Sequence, residues 1–146
     1  MKWSVQQLQK LTSSPLVFDE QIDFSELSKN VSDIVSINPA HVSGVVTNLG
    51  NQRFRVKYHV DVLIILECSL TLEPVDYHFV KVYDEVFAVD PTDDEYPIEK
   101  NTLDLNMAVW SDIIIDKPIA VTRDDAYEIL KERGIVLNET FDDNED

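Results

Sequence analysis

Four features of this sequence could do chemistry: a single thiol, Cys68; three imidazoles, His41, His59 and His78; abundant carboxylates; and a row of cations, Arg53, Arg55, Lys57 and His59. Nucleophilic catalysis needs a thiol or hydroxyl beside an imidazole and an orienting acid. Nothing local assembles one. Cys68 follows the apolar run Val62-Leu63-Ile64-Ile65-Leu66 on the same strand face, which predicts a buried, inert thiol. The three histidines lack metal-ligand spacing, and Gly44, Gly50 and Gly134 are too scattered to form a phosphate loop. One cysteine makes neither an intrachain disulfide nor a multi-cysteine zinc cage. The carboxylates fall in expected loops, solvated rather than paired in a cleft that would shift their pKa values. The residues therefore predict no enzyme, no metal site and no cofactor.

The cation row is different. Period-two spacing on a strand aims Arg53, Arg55, Lys57 and His59 at one side, about 6.6 to 6.8 Å apart, close to the spacing of successive phosphates along a nucleic acid. The same pattern also describes an exposed strand face on which cations resist edge aggregation. Tyr58 points the other way and cannot stack beside these charges, which counts against a single-strand platform.

The elements that must position the row follow from hydrophobic period. Phe54, Val56, Tyr58, Val60, Val62, Ile64 and Leu66 share the opposite face of the cation strand and predict a core side. Asn48-Leu49-Gly50-Asn51 predicts a hairpin turn before that strand, and Pro74 its end, with a partner strand over 75–89. Upstream, Ser4 caps a predicted helix over 5–11, and 17–24 reads as a strand. Downstream, Leu103, Met107, Trp110 and Ile114 predict a helical stripe stopped by Pro118. Thr122 and Asp125 form a capping box for a helix over 123–133, which Gly134 ends. The fold class expected is α+β: an antiparallel sheet or open barrel-like meander with short helices at both ends.

With 146 residues the chain is long enough for one buried core, read as a single domain over 1–137 and an acidic, disordered tail over 138–146. The net charge is −16, distributed unevenly. Residues 1–83 carry seven Lys/Arg against nine Asp/Glu, a balance of −2; residues 84–146 carry five against nineteen, a balance of −14. This charge repels naked phosphate backbone over most of the surface and argues against a DNA-coating protein. An acidic linker over about 84–100 reads as solvated chain, serving either solubility or attraction of a basic partner. No leader-like segment and no apolar run of about 18 residues occurs, so the expected location is cytoplasmic, without membrane contact.

The order of these segments resembles the YceD family, the large ribosomal RNA subunit accumulation proteins, over roughly residues 14–122. The best signature is a Cys-x-x-Cys-Leu-Glu-Pro type segment, matched by Cys68, Leu72, Glu73 and Pro74, with Thr71 standing where the second cysteine is usual. A looser match is Asp104-Leu105 followed by Ile115-Asp116-Lys117-Pro118. The resemblance implies a bacterial, non-enzymatic ribosome biogenesis factor supporting synthesis, processing or stability of the large-subunit 23S ribosomal RNA or its precursor. It further implies a basic large-subunit ribosomal protein as a partner. Thr71 removes any cysteine-pair metal or redox role, and the acidic end replaces an arginine- and leucine-bearing segment of many members. The basic row as the RNA-facing strand is a reading of spacing and charge alone. The alternative is an acidic chaperone for a basic ribosomal protein without direct RNA contact.

Overall fold

Apolar alternation from Arg53 to Asp61, running into the continuous apolar stretch Val62 to Leu66, demands a long strand with one buried face, and the architecture is built around it. The computed structural model describes residues 1–122, 126–132 and 134. The chain runs β1 (Lys2–Ser4), α1 (Val5–Gln9), β2 (Leu16–Ile22), α2 (Ser25–Ser28), β3 (Ile34–Ile37), β4 (Ala40–Gly50), β5 (Arg53–Glu67), β6 (Pro74–Ala88), β7 (Tyr96–Pro97), β8 (Thr102–Asp104), α3 (Leu105–Asp116) and α4 (Ala126–Glu132). Six strands form one sheet in the order β2-β4-β5-β6-β7, with β3 pairing β5 beyond the end of β4, and β1 pairs β8 separately.

Phe54, Val56, Tyr58, Val60, Val62, Ile64 and Leu66 are each at most 2% exposed, so the period-two pattern reports the core face directly. Phe79 and Phe87 of β6 flank them on the same face, opposite Val62 and Phe54, and Val109, Trp110 and Ile113 of α3 belong to the same core. Burying one such side chain contributes on the order of 1.5 to 3 kcal/mol. The β4–β5 hairpin turns at Asn51 and Gln52, both at φ 57°, as a two-residue loop matched to strand twist requires. Ser4 caps α1 by accepting the Gln7 N–H at 3.0 Å.

The expected α+β class with helices at both ends is not what forms. The molecule is mostly sheet, the helices among the described residues are few and span 5, 4, 12 and 7 residues, and β7 joins β6 in parallel, making the sheet mixed. The N-terminal end is a strand, because Lys2–Ser4 finds a register opposite Thr102–Asp104 that local propensity cannot announce.

Three further expectations are corrected. Pro74 does not end β5 but opens β6 opposite Glu67, a first-residue position that needs no N–H. The helical stripe is displaced: Asp104 accepts the Met107 N–H and caps α3, so Leu105, Val109 and Ile113 face the core while Met107 is 47% exposed and Leu103 lies in β8. The acidic stretch is not solvated linker throughout, since Asp84 and Glu85 belong to β6 and Ile98 is buried. The tail over 138–146 and the capping residue Asp125 lie outside the described residues. Among the described residues no helix is long and apolar enough to cross a membrane.

Candidate functional site

Antiparallel pairing carries one strand's facing onto its neighbours, so the cation side of β5 becomes a surface three strands wide. Arg55 lies opposite Thr47 and Val86, Lys57 opposite Val45 and Asp84, and His59 opposite Ser43 and Val82. Val82 is 75% exposed, and this face stands open. The structure thus brings Arg53, Arg55, Lys57 and His59 into one row, and it adds His41 and His78, which sequence spacing did not connect to them. His41 and Asp19 meet at 2.6 Å, as do His78 and Asp61.

The row is less cationic than the sequence suggests. Arg53 forms an ion pair with Glu95, and Arg55 donates two hydrogen bonds to Asp84 at 2.8 and 2.5 Å. The Arg55 hydrogen bond lowers the Asp84 pKa, assisted by the charges of Arg55 and Lys57, and Asp84 in turn raises that of Arg55. Both acids come from the stretch read as solvated linker. Glu95 is additionally held by the Thr92 N–H at 3.0 Å.

Cys68 is fully buried, and its thiol is not merely packed: Sγ lies 3.4 Å from the backbone N–H groups of both Leu70 and Thr71. The Cys68 N–H donates to Glu73 O at 2.8 Å and the Leu72 N–H to Cys68 O at 2.9 Å, while Leu72 takes φ 62°. The segment from Cys68 to Pro74 is therefore the closed turn that sets the β5–β6 register, with Thr71 buried inside it. Among the described residues no group of three or more His, Cys, Asp and Glu side chains is placed to hold a metal ion.

A second constellation lies on the inner face, where sequence reasoning expected no paired carboxylates. The Tyr58 hydroxyl is 2.6 Å from Glu85 Oε1 on β6 and also hydrogen-bonded to Asp112 Oδ2 on α3. Tyr83 stacks on Tyr58 with ring centroids 5.2 Å apart and donates to Asp116 at 2.5 Å. Burial, more than any neighbour, drives the Tyr58 and Tyr83 hydroxyls far above their ordinary range, raises Glu85, and pushes Asp112 up to about 7. One hydroxyl proton cannot serve two carboxylates. Glu85 and Asp112 are also hydrogen-bonded to each other, and Tyr96 adds a hydrogen bond to Glu85, so the raised pair favours a proton held between the two carboxyl groups. Both line a cleft of about 710 Å³ between α3 and the β6–β7 end of the sheet. Strand parity was the available signal, because Glu85 falls in step with Phe79, Tyr83 and Phe87.

No protein-family model matches the chain, and no solved structure matches it. The chain is similar to a Bacillus subtilis (strain 168) protein described as "Uncharacterized protein YlbN", 29% identical over 126 residues that span 83% of this chain and 73% of that one. That description carries no activity.

Proposed function

We propose that this chain is a non-enzymatic, cytoplasmic factor that supports accumulation of large-subunit ribosomal RNA by binding, and that it presents the outer face of its six-stranded sheet to the target. The observation that carries the reading is the row of Arg53, Arg55, Lys57 and His59 on an open face. The ordered resemblance over residues 14–122 supplies the biological context. Phosphate contact by several of these cations releases counterions, so RNA affinity would fall steeply with salt.

A second reading is favoured by a specific observation. Arg53 and Arg55 already have the acids Glu95 and Asp84, and the whole chain carries −16, which suits a basic large-subunit ribosomal protein better than bare phosphate. Affinities for a ribosomal RNA fragment and for basic large-subunit proteins, measured across a salt series, separate the two. Steep salt dependence with RNA supports direct contact; binding of the basic proteins alone supports the holding role. A sucrose-gradient profile of cells lacking the protein, probed for large-subunit RNA, tests the shared premise, and an unchanged large-subunit RNA level would remove it.

A further inference from the structure

β6 is paired along its whole length with β5, from Pro74 opposite Glu67 to Ala88 opposite Arg53, with no register shift. On its other side only Phe87 and Ala88 are paired, with β7. Residues Val75 to Val86 therefore border the sheet on that side, and among the described residues no backbone hydrogen bond reaches them from it. Twelve residues at 3.3 to 3.4 Å each make an edge about 40 Å long. Soluble proteins usually blunt such an edge by shortness, bulges, proline or inward-pointing charge. Between Val75 and Val86 there is no bulge and no proline; the inward-pointing charges are Lys81 and Glu85, opposite Val60 and Val56, and the outer face of the edge carries no Lys or Arg.

The side chains along this edge describe what it fits. Val80 and Val82 are 47% and 75% exposed, offering apolar contacts on one face of an added strand. Acids flank both ends: Glu67 and Asp76 near the turn, and Asp90, Asp93 and Asp94 toward the loop before β7. Each copy of the chain carries −16, so a second copy meets long-range repulsion, whereas a cationic strand meets complementary charge at both ends. We propose that the outer edge of β6 receives an extended, Lys/Arg-bearing segment of a partner protein as an added strand. Main-chain hydrogen bonds would supply affinity, and the flanking acids would select for basic segments. The inference rests on the basic-protein reading of the function and adds the surface and the mode of binding.

The test uses the full chain, a ten-residue peptide alternating lysine and valine, and a counterpart N-methylated on one backbone edge, which keeps charge and side chains but cannot pair. Amide hydrogen exchange is followed along β6. The expected result is at least tenfold slowing at alternate residues between Val75 and Val86 with the first peptide, weakened by salt, and none with the second. Peptide binding without slowing there, or slowing by both peptides alike, overturns strand addition while leaving the basic-partner reading intact. Slowing that depends on protein concentration without peptide assigns the edge to a second copy and overturns the proposal. No peptide binding at millimolar concentration overturns it as well. The reading beneath it fails separately, if the chain retains no basic large-subunit protein in the salt series.

Discussion

Tyr58 has one hydroxyl proton and two carboxyl neighbours, and that mismatch makes the Tyr58–Glu85–Asp112 cluster sensitive to pH. The folded chain binds a proton at Asp112 with a pKa of about 7, whereas the unfolded chain releases it near 3.8. Stability from this group is thus complete below about pH 4 and is lost as pH rises through 7, levelling off above. Asp112→Asn, which donates at every pH, should flatten that dependence by on the order of 1 to 3 kcal/mol between pH 5 and 8. Calorimetric melting of both proteins at the two pH values checks this; parallel pH dependences would show that Asp112 holds no proton in the fold. Beside this cluster the β4 and β5 backbones approach closely at Gly44, directly opposite Tyr58, where an added Cβ would sit 2.1 Å from the Lys57 carbonyl oxygen and 2.7 Å from Tyr58 Cα. Backbone cannot yield there as a flexible side chain would. Gly44→Ala should cost about 1 to 3 kcal/mol in chemical denaturation, and an unchanged midpoint would mean that β4 and β5 can separate freely. Cys68→Ser should cost on the order of 1 to 3 kcal/mol by placing a hydroxyl in a thiol's buried site, yet preserve function at permissive temperature. Loss of function in a fully folded Cys68→Ser protein would restore a chemical role to the thiol.

At the scale of elements, β5 does two jobs because its two faces are chemically independent. Replacing Arg53, Arg55 and Lys57 together by Gln leaves Phe54, Val56 and Tyr58 packed. The lost Arg55–Asp84 pair is exposed and worth about 0 to 1 kcal/mol, while losing Arg53 leaves the Glu95 carboxylate, only 8% exposed, to its Thr92 N–H; with the core face intact the triple variant should still fold, at reduced stability. If the row meets RNA, the variant should bind a ribosomal RNA fragment more weakly, with a salt slope shallower by up to about 2 to 3 units. A basic protein should bind it at least as well. Unchanged RNA affinity and slope would retire the row as an RNA surface. The end of α3 is fixed differently: Asp116 accepts from Tyr83, and Lys117, whose side chain is 9% exposed, donates to Asp33 at 2.6 Å. The segment Ile115-Asp116-Lys117-Pro118 therefore ties the helix to β6 and to the start of β3. Lys117 adopts the extended conformation expected before proline, which stops the helix.

For the whole molecule the dominant quantity is charge. A net −16 opposes compaction through self-repulsion, and salt screens it. Raising sodium chloride from about 0.01 to 0.5 M, which shrinks the Debye length several-fold, should therefore raise the melting temperature. A decrease would mean that specific ion pairs, such as Arg55 with Asp84, outweigh the repulsion. The sequence alone determined the buried face of β5, the Ser4 cap and the burial of Cys68, and that a hairpin turn precedes β5, though the turn read at 48–51 forms at Asn51 and Gln52 because β4 runs on to Gly50. Each depends on neighbours within a few positions, where period, turn chemistry and capping act locally. Only the tertiary structure decided the predominance of sheet, because β1 meets β8 across about a hundred residues and no local pattern encodes that pairing. It likewise decided which charges are spent inside the molecule. Glu95 reaches Arg53, Asp84 reaches Arg55, and Glu85 and Asp112 converge on Tyr58 from two different elements. An acid's partner and dielectric are set by what folds against it, and strand register and helix docking fix those at long range.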